Sequence, residues 1–190
     1  MSMVLSMAGR GTEEALKMVL QLLALIWAVE LINWLLFNHR LTAYGIIPRD
    51  PRGLIGLATA PLLHASPQHA LGNSLPLLIL GGLVALSGRK IFLWATAIIA
   101  IGGGLGVWIT ARRALHIGAS GLIFGYFAFL LARAWHERSL FSLLLALSAL
   151  VLYGGMFWGV LPQAAHPDVS WEAHLFGFLA GLTASAVLRR

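Results

Sequence analysis

HIGASGLIFG, residues 116–125, places four small residues, Gly118, Ala119, Ser120 and Gly121, at the head of an apolar run that continues to about residue 135. Small residues in an apolar helix let two backbones approach closely, so one reading of the stretch is helix packing. The other is a serine nucleophile with room cleared around it for a substrate. The choice depends on the solvent around the run and on which polar groups share its level.

Of the 190 residues, 59% are hydrophobic and 11% charged, with a mean hydropathy of +0.84. A soluble domain of this size cannot hide so much apolar surface, so lipid is the solvent for much of the chain. Without cysteine, neither a disulfide nor a thiolate metal site can form. The net charge of +6 comes from 13 Lys and Arg against 7 acids. These cations stand singly or in pairs between apolar blocks, as membrane-flanking anchors do, and form no stripe for nucleic acid.

A spanning helix needs about 20 apolar residues. Six segments qualify, at roughly 15–37, 69–88, 91–111, 119–135, 139–160 and 171–188. The first is read as a retained helix, since Arg10, Glu13 and Glu14 precede it and its apolar run is long enough to span. The 38–68 connection holds Pro48, Pro51, Pro61 and Pro67 around an apolar Leu54-Ile55-Gly56-Leu57, and is expected to be a loop partly embedded in the interface. Six spans put both termini on one side. That side carries Arg10, Lys17, Arg89, Lys90, Arg133, Arg138, Arg189 and Arg190, against Arg40, Arg49, Arg52, Arg112 and Arg113 opposite, so the termini are expected to be cytoplasmic.

Polar groups within spans are costly and each needs a reason. Glu30 and Asn33, one turn apart, read as an interhelical hydrogen-bonded pair. His69 and Asn73, spaced i, i+4, share a helical face. Ser120 opens the fourth span and His174 lies three residues into the sixth. The second, fourth and sixth spans run in the same direction, so these four residues, each within about one turn of its helix start, share one shallow depth. Gly118, Gly121 and Gly125 are expected to face Gly177 and Gly181, bringing Ser120 within reach of His174. Packing and chemistry then stop being rivals.

Taken in order, H-x-x-x-N at His69–Asn73, GASGLIFG around Ser120 and AHLFGFLAG around His174 resemble the signature segments of the rhomboid intramembrane serine proteases. The resemblance runs from about Tyr44 to the C-terminus. It implies an all-α membrane protein, a six-transmembrane-helix rhomboid-like bundle forming one domain over residues 1–190, in a prokaryotic cell membrane. It also implies that Ser120 attacks a peptide carbonyl, with His174 as general base and then general acid and no third carboxylate, so Asp168 and Glu172 receive no role. The oxyanion hole would comprise the Ser120 backbone N–H and the His69 and Asn73 side chains. Gly118, Gly121, Gly177 and Gly181 would support the packing, Phe124 would stack on His174, and His64 would be structural. Phe124 stands where some members carry tyrosine, and residues 38–68 lack the family's Trp-Arg pair. The 165–168 loop (Ala165, His166, Pro167, Asp168) is the expected lid. The implied partners are transmembrane protein substrates and the lipid bilayer, with no cofactor, metal or nucleic acid.

Other intramembrane proteases fit poorly. No H-E-x-x-H is present, and the only aspartates, Asp50 and Asp168, lie in connections. A non-catalytic rhomboid-like protein that binds or chaperones membrane segments is the alternative; it should lack the serine or the histidine, and this chain has both.

Overall fold

The computed structural model describes residues 2–162 and 169–189; the expected lid at 165–168 lies outside the described residues. Helix α1 spans Ser2–Phe37, beginning well before the expected residue 15. Its end is set by Asn33, whose carbonyl accepts the His39 N–H and whose Oδ1 accepts the Leu41 N–H, both at 2.9 Å. The six-residue return from His39 to Asn33 satisfies an orphan carbonyl, as helix ends require. The expected interhelical Glu30–Asn33 pair is therefore not formed. Asn33 is occupied at its own helix end, and Glu30, fully buried, lies 4.0 Å from His39 Nδ1.

The prolines of the next connection break it into short turns: 3-10 segments at Arg40–Tyr44, Pro51–Ile55 and Ala60–Leu62, with the single turn α2, Gly56–Thr59, among them. Gly53, Gly56 and Ala60 face inward while Leu54 and Ile55 stay exposed, the amphipathic pattern of a segment lying along an interface. Ile46 makes an antiparallel bridge to His116 through two 3.0 Å hydrogen bonds.

Helix α3, Pro67–Ala85, starts with proline at its first position and Ser66 as N-cap, whose Oγ accepts the His69 N–H at 3.2 Å. Helix α4, Arg89–Ile98, runs through a π turn at Ile99–Gly103 into α5, Gly104–Thr110, as one rod. Then come α6, Ser120–Glu137, α7, Leu140–Tyr153, with a 3-10 extension Gly154–Val160, and α8, Trp171–Val187. The described residues are all-helical apart from that isolated bridge.

Counting α4 and α5 as one rod, the described residues form seven helices, against the six spans expected; the extra one is the single turn α2. Three stretches are long and apolar enough to cross a membrane by length and composition: Gly11–Phe37, Arg89–Thr110 and Leu140–Val160. Helices α3, α6 and α8 are shorter, and they form the centre. Every residue from Leu122 to Leu130 in α6 is buried, and α6 packs most extensively on α8. Tyr126 is fully buried and donates to Thr96 Oγ1 at 2.7 Å; Trp27 Nε1 donates to Ser74 Oγ at 3.0 Å, joining α1 to α3.

Candidate active site

A close backbone approach between α6 and α8 decides the site. A Cβ on Gly177 would collide with the Gly121 carbonyl, and one on Gly181 with the Gly125 carbonyl. Only glycine lets α6 and α8 approach at this separation. The contact brings together the first turns of the two helices. His174 Nε2 then lies 3.0 Å from Ser120 Oγ.

The other ring nitrogen, Nδ1, lies 3.0 Å from the Gly159 carbonyl oxygen. A carbonyl only accepts, so Nδ1 carries the proton and Nε2 presents a lone pair to the Ser120 hydroxyl. That is the tautomer a general base needs. Gly159 lies in the 3-10 extension of α7, and its carbonyl role carries no side-chain signal by which a sequence reading could find it. Phe124 stacks on the His174 ring, centroids 4.1 Å apart and planes 9° apart. A Cβ on Gly159 would stand 2.7 Å from Phe124 Cζ, so glycine there makes room for the stack.

Across the cavity, α3 contributes His69 and Asn73. His69 is the third residue of α3, while Asn73 sits in its second turn, deeper than the one-turn depth expected. Among the described residues Asn73 Nδ2 is a buried donor without a hydrogen-bond partner. Gly118 takes φ of 113°, a conformation open to glycine, and a Cβ there would stand 3.0 Å from His69 Nε2. Gly118 was expected on the α6 face toward α8; instead it lies before α6 and against α3. It supports the site from the opposite side because a tight turn must precede the helix start. Gly121 does meet α8, at Ala173 and Gly177.

The turn before Ser120 is held from below. The Gly118 N–H donates to the Ala60 carbonyl at 2.9 Å and the Ala119 N–H to His64 Nε2 at 3.3 Å. His64, fully buried in the connection before α3, is pushed down to about 4, first by burial and then by nearby His69. It is thus neutral near pH 7 and able to accept at Nε2.

Ser120, His174, His69 and Asn73 line one cavity of about 770 Å³. His39 and Thr42, from just after α1, line it too, although nothing in their local sequence marks them for it. Among the described residues no group of three or more His, Asp or Glu could hold a metal ion.

Known proteins are similar to this chain in sequence. An uncharacterized protein of Mycobacterium tuberculosis is 44% identical over 177 residues, 90% of this chain and 73% of its own length. One from Mycobacterium leprae is 39% identical over 177 residues, 90% of this chain and 70% of its own. A Bacillus subtilis protein named, provisionally, as the rhomboid protease YdcA is 30% identical over 131 residues, 68% of this chain and 64% of its own. A family model described as the Rhomboid domain matches residues 51–190. With three helices able to cross a membrane and a family match that takes in both ends of the Ser120–His174 contact, this integral membrane protein belongs to the rhomboid family.

Proposed function

We propose that the chain is an intramembrane serine endopeptidase that cuts transmembrane-segment substrates near the non-cytoplasmic surface through a Ser120–His174 dyad. The observation that carries this reading is the directed chain from Ser120 Oγ to His174 Nε2, with Nδ1 on the Gly159 carbonyl, at the wall of a cavity. Ser120 Oγ adds to the peptide carbonyl while its proton passes to His174 Nε2. The oxyanion is held by the Ser120 N–H at the helix N-terminus and by His69 and Asn73. Collapse breaks the C–N bond, and His174 returns the proton to the leaving amine. A water then adds to the acyl carbon, its proton going to His174 and back to Ser120 Oγ as the acid departs. No cofactor or metal takes part.

In this reading α1, α3, the α4–α5 rod, α6, α7 and α8 all cross the bilayer as one domain. Helices α3, α6 and α8, of 17–19 residues, reach roughly 26–29 Å, slightly short of a hydrocarbon core of about 30 Å. Short central helices lower the site beneath the surface while leaving it open to water. Both termini are placed in the cytoplasm of a prokaryotic cell, with the protein in its inner membrane.

The test uses a fluorophosphonate probe on detergent-purified protein. The wild type is expected to label, and Ser120→Ala and His174→Ala to lose labelling by about a thousandfold or more. A folded wild type that does not label sinks the proposal and leaves Ser120 a packing residue.

A further inference from the structure

A second set of polar groups, with His116 and Glu172 buried and Ser170 half-buried, joins the segment before α6 to the start of α8, and the chemistry above does not use it. Ser170, the N-cap of α8, accepts the Ala173 N–H at 3.2 Å and lies 2.6 Å from His116 Nδ1. His116, almost fully buried, has Nε2 3.1 Å from the Arg112 carbonyl oxygen. Because that carbonyl accepts, Nε2 holds the ring proton and Nδ1 is bare, so the Ser170 hydroxyl donates to it. Burial, the leading influence, pushes the His116 ring down and favours this neutral form.

A second link runs alongside. Buried Glu172 accepts the Arg112 N–H at 3.4 Å and lies 3.6 Å from its guanidinium, whose Nη2 donates to the Val169 carbonyl at 2.8 Å. Both links start in the 112–116 segment and end in the first turn of α8. The near end of that segment is anchored by the His116–Ile46 bridge, and four residues later it delivers Ser120. Its far end holds the turn that delivers His174 four residues after Ser170. The glycine contacts set how close α6 and α8 come. They do not by themselves fix how α8 is rotated or slid along that contact, and a shift of under 1 Å would spoil a 3.0 Å proton-transfer geometry.

We propose that His116 and Ser170 are positioning residues: their side-chain hydrogen bond ties the segment carrying Ser120 to the N-cap of the helix carrying His174 and holds the two at transfer distance. The proposal rests on the dyad reading given above. It is tested on the full chain by fluorophosphonate labelling kinetics, which separate the limiting labelling rate from the half-saturating probe concentration, with thermal unfolding measured alongside.

Ser170→Gly keeps a competent N-cap but removes the donor. His116→Ala removes the acceptor. Each is expected to lower the limiting rate by about 10- to 100-fold with the half-saturating concentration within about twofold. The double variant should be no slower than the slower single, because both act through one bond. His116→Asn, whose Oδ1 can take the place of Nδ1, should recover to within about threefold of wild type. If His116→Ala does not fold, Ser170→Gly and His116→Asn carry the test. Undiminished labelling in folded Ser170→Gly, multiplying losses in the double variant, or no rescue by His116→Asn overturns the positioning role alone. An unlabelled folded wild type overturns the dyad reading and the positioning role with it.

Discussion

Helices α6 and α7 are neighbours, both rich in leucine and alanine, yet they make opposite use of the same chemistry. In α7 the buried residues are Ser142, Leu145, Ala146 and Ala149, a single stripe at i, i+3, i+4 and i+7, while Leu140 is 72% and Val151 74% exposed. In α6 nine consecutive residues are buried, with Tyr126 at 0%. Lipid tails are as apolar as leucine, so hydrophobicity cannot drive helices together in a bilayer. It marks which segments can enter the membrane. Position within the bundle is decided by small residues and satisfied polar groups, which α6 shares with α8 and α3 and α7 mostly lacks. The outer helices are therefore the most apolar and the least constrained.

That contrast breaks most sharply at the glycine contact. Gly181→Val puts a branched side chain into the Gly125 carbonyl, and is expected to destabilise the fold by about 3 kcal/mol or to prevent it forming. Unfolding in mild detergent would show this, and a wild-type transition would mean that α8 can move away freely. An effect of similar size should come from acid, through His64. Above pH 6.5 neither the folded nor the unfolded chain protonates this ring, so stability is flat. Between 6.5 and about 4 only the unfolded chain takes up the proton, so stability falls as pH falls, by roughly 3 kcal/mol in all. A His64→Gln variant should flatten that part of the profile; an unchanged slope would assign it to other groups.

Smaller changes sharpen the comparison. Thr96 Oγ1 also donates to the Phe92 carbonyl at 2.7 Å, so Tyr126→Phe removes one buried hydrogen bond and orphans nothing, a loss of about 1 kcal/mol. Leu147→Ala on the exposed face of α7 should change stability by less than about 0.5 kcal/mol and leave labelling untouched. A large effect there would show that α7's outer face is covered by protein, and the contrast with α6 would fail.

Much of this molecule is legible along the chain, because apolar segment lengths and short-range spacings are local properties. Each expected apolar segment holds a long helix, and the i, i+4 spacing of His69 and Asn73 puts both on the cavity side of α3. The glycines of GASGLIFG and AHLFGFLAG are readable as a close-packing face, although Gly118 turns toward α3 instead. Departures occur where partners are distant or lack a side-chain signature. The Gly159 carbonyl behind His174 is a backbone group like any other until the 3-10 turn aims it. His39 reaches the cavity only because the cap at Asn33 reverses the chain.

The sequence by itself determined the solvent, the helical character and the residue types for the chemistry, since composition and periodicity follow from what each segment must bury. Tertiary structure decided which ring nitrogen of His174 carries the proton, which hydroxyl meets His116 across 54 residues, and how the less apolar helices α3, α6 and α8 come to lie at the centre. Those are questions of distance and direction between remote groups. They are settled only when glycine contacts and directed hydrogen bonds fix one helix against another.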